Sequence, residues 1–148
     1  MAVPTMIDVS QFIVPGMSEI IQRTVEKRHT GGTYGGGAME DLLATPAYVD
    51  VMIRAAVKAV DHRLPEGYIT VGRSMEFTHE APTGTGMSVS IKATVAEVNG
   101  NRVIFDIIAS DEVGPIGSGK HERVVVNQGE WAKKVQERLK LVKNIAIK

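Results

Sequence analysis

TPAYVDVMIRAAVKAVDH, residues 45 to 62, decides the fold. Thr is a favoured helix N-cap, and Pro suits the first helical turn because its missing N–H would have no partner there. The stretch therefore predicts a helix capped by Thr45 and running to about His62. Its polar residues Asp50, Arg54, Lys58 and Asp61 form one narrow stripe, with Asp50 and Arg54 spaced for an ion pair. The other positions through Val60 are apolar. A helix apolar over so much of its circumference is wrapped by other structure on several sides, and Ala55, Ala56 and Ala59 let another backbone come close.

Downstream of this helix the period changes to two. Residues 69 to 79 read as a strand. Met87, Val89, Ile91, Ala93 and Val95 then alternate with Ser88, Ser90, Lys92 and Thr94, as in a strand with one buried and one solvated face. Val98-Asn99-Gly100-Asn101 is a hairpin signal, Asn-Gly being suited to two successive positive φ angles. Val103, Phe105, Ile107 and Ala109 mark one face of the returning strand, and Ile116 to Asn127 forms another. Upstream, Ser18 to Arg28 reads as a first strand after an arm, residues 1–17, that ends in the turn Val14-Pro15-Gly16. Residues 130–143 return to helical spacing, read as a packed terminal helix with a solvated basic face. The sum is α+β: an antiparallel sheet of about five strands around one long central helix, in a single domain at residues 18–148. One such sheet leaves its helix incompletely covered, so a second copy is expected to complete the burial.

Composition narrows the chemistry. The 148 residues suffice for one core. Seventeen basic and seventeen acidic residues leave no net field toward nucleic acid or an anionic membrane. The absence of cysteine removes thiolate nucleophiles, disulfides and sulfur-ligated zinc. The four histidines show no metal-ligand spacing, so no metal is expected. No export signal or run of about 18 apolar residues is present, and a cytoplasmic protein is expected.

Several residues could carry chemistry. His79 shares its parity with Val71, Met75 and Phe77 and is expected on the face toward the helix, where a lone histidine is more often a core residue than a catalyst. Thr45 has its capping role, yet the first-turn N–H groups beside it favour negative charge on a bound carbonyl or phosphate. The glycine-rich TGGTYGGG, residues 30 to 37, reads as a surface loop or as a loop shaped over a ligand. Gly72 interrupts its strand as if a ligand or backbone passed close by, and Gly117 and Gly119 read equally as close approach or as a bulge.

The order of LLATPAYVDVMIRAA (42–56), ITVGRSMEFTHEAPTGTG (69–86), the hairpin and IGSGKHERVVV (116–126) resembles the hotdog-fold thioesterases of the fluoroacetyl-CoA thioesterase type, over roughly residues 18 to 140. The resemblance implies a dimer or dimer of dimers acting on coenzyme A thioesters, with coenzyme A entering as part of the substrate and no separate cofactor. It casts Thr45 and His79 as catalytic, Gly72 as a glycine whose backbone faces the thioester, and Arg123 as the arginine of the HER motif. The family's third catalytic group, a glutamate two turns into the helix, is Ile53 here. Ile53 can neither accept a proton nor attack an acyl carbon, and Asp50, Glu40 and Asp41 are weak substitutes. Tyr34 and Tyr48, with Met52, are expected to shape the acyl pocket. Arg73, Lys92, Lys120 and Arg123 are the candidates for the coenzyme A phosphates. The expected function is hydrolysis of a small or medium acyl-CoA at a dimer interface, by His79 and Thr45 without the glutamate. The alternative is a non-catalytic acyl-CoA binding protein, and a hydratase or dehydratase ranks below both.

Overall fold

Why the helix is apolar on so many sides becomes clear in the computed structural model, which describes residues 7–34 and 40–146. Strands β1 (Ser18–Thr24), β2 (Tyr68–Phe77), β3 (Ser88–Asn99), β4 (Arg102–Ser110) and β5 (Pro115–Asn127) form one antiparallel sheet, in the order β1-β3-β4-β5-β2. Helix α1 (Thr45–Val60) packs most closely against β1 and β3. It buries Ala47, Tyr48, Val51, Met52, Ala55, Ala56, Ala59 and Val60. Val89, Ile91, Ala93 and Val95 meet it from β3, and Val103, Phe105, Ile107 and Ala109 lie beside them on β4, as their alternation predicts. Each large side chain taken fully out of water here contributes about 1.5–3 kcal/mol. Val49, Ile53 and Val57, one turn apart along α1, stay half-buried, so the chain's own sheet leaves one flank of the helix open.

Several local readings are corrected. The first strand stops at Thr24, and Lys27–His29 form a 3-10 turn instead. The helix ends at Val60, with Asp61–Arg63 continuing as 3-10. The β3–β4 hairpin turns on Gly100 (φ 63°) followed by Asn101, which keeps a negative φ, so one left-handed residue suffices where two were expected. In β2 a register shift between Gly72 and Ser74 reverses the side-chain alternation. Before the bulge Tyr68 and Thr70 point inward; after it Met75 does. Val71 is therefore not on the same face as His79, although Met75 and Phe77 are. The segment before β1 belongs to the packed structure, since Val9 and Ile13 are buried in the core; residues 1–6 lie outside the described part.

Helix α2 (Gln128–Ala146) departs most from expectation. It leaves the sheet at Asn127, whose strand partner is Tyr68, and its apolar residues stay exposed among the described residues. Trp131 is 41% exposed and Ile145 70%. The periodicity predicts a helix with an apolar side, and that side is exposed rather than packed.

Candidate functional site

Thr45 sits where the sequence places it but does a different job. Leu43 N–H donates to the Thr83 carbonyl (2.8 Å) and Ala44 N–H to the His29 carbonyl (2.8 Å), which fixes Ala44, in extended conformation, as the N-cap. Thr45 becomes the first helical residue, and the N-cap Ala44 offers no side-chain cap. Its hydroxyl is thereby free to turn sideways, and Oγ1 lies 2.9 Å from Nδ1 of His79.

His79 lies two residues beyond β2, yet it is held as firmly as a strand residue. Thr78 N–H donates to the Ser118 carbonyl and Glu80 N–H to the Ile116 carbonyl, both at 2.8 Å, so pairing with β5 continues on either side of it. The imidazole stacks on the ring of Tyr48, with centroids 4.4 Å apart and 28° between planes. The Tyr48 hydroxyl donates to the Thr78 carbonyl at 2.9 Å, which ties that ring to the residue before His79. Burial and the nearby Glu80 carboxylate push the Tyr48 phenol up to about 12, so it stays a donor. Burial lowers the pKa of His79 from its ordinary value of 6.5, favouring the neutral imidazole at neutral pH.

Gly117 explains how this fits together. A Cβ there would overlap the Thr78 carbonyl oxygen and stand 2.5 Å from the Tyr48 hydroxyl. The close approach that the sequence signalled is thus by the chain's own tyrosine and backbone. Gly117→Ala is expected to destabilise the protein by about 1–3 kcal/mol through overpacking and to lower turnover by displacing the rings of Tyr48 and His79, as thermal unfolding and an activity assay would record.

A cavity of about 500 Å³ opens in front of the Thr45–His79 pair, lined also by Tyr34, Leu43, Pro46, Glu80 and Pro82. Glu80 is the lining carboxylate, which the reading of the sequence passed over although it directly follows His79. Tyr34 borders the cavity, whereas Gly35, Gly36 and Gly37 of the glycine-rich loop lie outside the described residues. Tyr48 is fully buried behind His79 and does not line the cavity. Ile53 does not line it either, and Asp50 is engaged by Arg54 (2.8 Å) and Arg23 (3.7 Å).

Gly72 and Arg123 lie apart from this pair, Arg123 in a buried polar network between β2 and β5 and Gly72 exposed beside it. Arg123, 6% exposed, donates from Nε to Thr70 Oγ1 (2.7 Å) and from Nη2 to the Thr70 carbonyl (2.9 Å). Thr70 Oγ1 in turn donates to Asp61 (2.5 Å). His121 donates from Nδ1 to the Ser74 carbonyl (2.8 Å), leaving Nε2 to accept from Arg123 Nη1 (3.1 Å). That pattern needs a neutral imidazole, in keeping with a pKa lowered by burial and by the Arg123 charge. A Cβ on Gly72 would lie 3.5 Å from Arg123 Nη1 and 3.6 Å from His121, so the glycine leaves room for the pair.

Comparison with known proteins bears on this geometry. Residues 25–129 match the family model for FlK, the fluoroacetyl-CoA-specific thioesterase. The fluoroacetyl-CoA thioesterase of Streptantibioticus cattleyicolor is 34% identical over 98 residues, 66% of this chain and 70% of that protein. A hot-dog-like protein from Thermanaerovibrio acidaminovorans superposes with a TM-score of 0.84 at 35% identity, covering 89% of this chain and 97% of that one. A threonine-to-serine mutant of FlK in complex with acetyl-CoA gives 0.79 at 27% identity, covering 85% and 98%.

Proposed function

The chain belongs to the fluoroacetyl-CoA-specific thioesterase family, a thioesterase of hotdog fold, and from that premise we propose that it hydrolyses small or medium acyl-CoA thioesters at the Thr45–His79 pair. The observation that carries this reading is the 2.9 Å approach of His79 Nδ1 to Thr45 Oγ1 at the mouth of a cavity. One proton arrangement serves both residues. His79 donates from Nδ1 to Thr45 Oγ1, the Thr45 hydroxyl donates to the thioester carbonyl oxygen, and His79 Nε2 is left unprotonated to take a proton from water. The water oxygen attacks the acyl carbon. Negative charge collects on the carbonyl oxygen, facing the Thr45 hydroxyl and the positive end of the α1 dipole. Collapse breaks the carbon–sulfur bond, and the imidazolium returns its proton to the departing coenzyme A thiolate. The products are the free acid and coenzyme A.

With Ile53 in place of the family's glutamate, no carboxylate is needed in this scheme as a nucleophile. General-base help alone is worth about 10² to 10⁴ in rate. The half-buried flank of Val49, Ile53 and Val57 supports completion of the core by a second copy, with the cavity near the resulting interface.

The test is a panel of acyl-CoA thioesters assayed by release of free thiol. Cleavage of at least one short or medium thioester well above the buffer rate supports hydrolysis; saturable binding of a thioester without cleavage establishes the acyl-CoA binding protein instead. The pH profile adds a second check. Because the pKa of His79 is lowered, its basic form persists below the ordinary value, so kcat/KM is expected to rise through a midpoint below 6.5 and to be level at neutrality. A midpoint above 6.5 would contradict the assignment of His79 as base.

A further inference from the structure

Among the described residues, an amphipathic helix lies exposed and the cavity is lined by no cation. No lysine or arginine among the described residues lines the Thr45–His79 cavity, and the one charged side chain lining it is Glu80. The basic residues closest in sequence to the site motifs are committed elsewhere: Arg73 pairs with Glu122, Lys120 with Asp106 at 4.0 Å, and Arg123 with Thr70 inside the core. Lys92 borders a separate groove with Ile20 and Ile108, on the sheet face turned away from α1. A ligand carrying phosphates would find no positive charge lining this cavity among the described residues.

The missing charge is concentrated on α2. From Gln128 to Lys148 the chain has six basic and two acidic residues, a net of +4; since the whole is neutral, residues 1–127 carry −4. Trp131, Val135, Leu139 and Val142 form an exposed apolar stripe along α2, and Lys133, Lys134, Arg138 and Lys140 are exposed with it. Arg138 falls within the stripe near the middle of the helix. Pairing of two α2 helices centred there would bring like charges together, whereas the acidic body of another copy is complementary.

Position supplies the rest. β2 is an edge strand; at Thr70 its N–H is taken by Asp61 (3.3 Å) and its carbonyl by Arg123 (2.9 Å), so the stretch from Arg73 to Phe77 is the part of the edge left for pairing among the described residues. α2 leaves from this same edge, with Gln128 N–H bonded to the Gly67 carbonyl (2.8 Å) and Asn127 opposite Tyr68. A two-fold axis perpendicular to the sheet at this edge pairs two β2 strands antiparallel. The Tyr68 end of one copy, and the root of its α2, then lies beside the Phe77 end of the other, next to His79. Glu76 and Glu80, which have no ion-pair partner among the described residues, stand at that end.

We propose that α2 docks on a second copy of this chain across the β2 edge, with Lys133 and Lys134 set beside the partner's cavity to bind the phosphates of coenzyme A. This deepens the acyl-CoA reading and rests on it. The mode is isologous: each copy gives one helix and receives one.

Trp131 is the chain's single tryptophan and lies in the stripe, so its fluorescence reports docking directly. Dilution of the full-length protein is expected to move its emission from blue to red as the dimer dissociates, and Leu139→Glu to keep it red throughout while leaving far-UV circular dichroism unchanged. The double variant Lys133→Gln/Lys134→Gln should retain the blue emission but bind free coenzyme A about tenfold or more weakly, with affinity for pantetheine, which has no phosphate, unaltered. A red emission independent of concentration, a blue shift seen only on adding phosphatidylserine vesicles, or an unchanged ratio of coenzyme A to pantetheine affinity in the double variant would each overturn the proposal. Neither readout requires turnover, so a failure to hydrolyse thioesters would count against the function alone.

Discussion

His79→Ala is expected to lower kcat/KM for the best acyl-CoA by about 10² to 10⁴, the range of general-base assistance. The loss should fall mainly on kcat, because the imidazole is called on as charge develops in the transition state and does little to hold the resting substrate. Melting temperature should change far less than activity, since the ring is half-buried and its removal leaves Tyr48 with its hydrogen bond to Thr78. His79→Gln separates shape from basicity: it keeps polar bulk on the Tyr48 ring but cannot accept the proton of water at neutral pH, and should be nearly as slow. Steady-state kinetics on the two variants decide the matter. Unchanged turnover in either would remove His79 from the mechanism.

Thr45→Val removes the hydroxyl and keeps the volume, and is expected to cost about 10² to 10³ in kcat, the usual effect of deleting one donor to a developing oxyanion. Thr45 does not cap the helix, so the substitution should leave α1 intact; a capping threonine would instead cost about 1 kcal/mol of stability on removal. Thr45→Ser should keep much of the activity because the hydroxyl remains. The double change Thr45→Val with His79→Ala should lose much less than the product of the single losses, because each residue orients the other through the 2.9 Å contact. Full additivity in rate would mean that the two act separately.

The central helix, the two clean strands and their hairpin were legible because their patterns run long enough to average out single residues. The twofold alternation at Val89 to Val95 and again at Val103 to Ala109 has one physical cause, an inner and an outer face of one sheet. Local geometry was less legible. That Ala44 caps α1 depends on hydrogen bonds from Leu43 and Ala44 to Thr83 and His29, both distant in sequence or lying across a loop. The bulge between Gly72 and Ser74 has no counterpart in hydrophobic pattern, so simple alternation puts Val71 on the wrong face while it puts Met75 and Phe77, beyond the bulge, on the face of His79. The residue pair at the site came from a family resemblance joined to a physical hint, the exposed amides at a helix start. Its supports, Tyr48 and Gly117, became visible only when the fold brought residues 48, 78 and 117 together.

The resemblance implies a catalytic glutamate where Ile53 stands, and on that reading selectivity for an activated acyl group that depends on the carboxylate is not expected here. Acyl preference would then follow the shape of the cavity bounded by Tyr34, Leu43 and Pro46.

The most direct measurement is a crystal structure of the protein with a non-hydrolysable acyl-CoA analogue in which a methylene replaces the thioester sulfur. The carbonyl oxygen is expected about 2.7–3.1 Å from Thr45 Oγ1, with His79 Nε2 facing a water poised over the acyl carbon. An analogue bound with its carbonyl away from Thr45, or with its acyl group outside the cavity that His79 borders, would contradict this account.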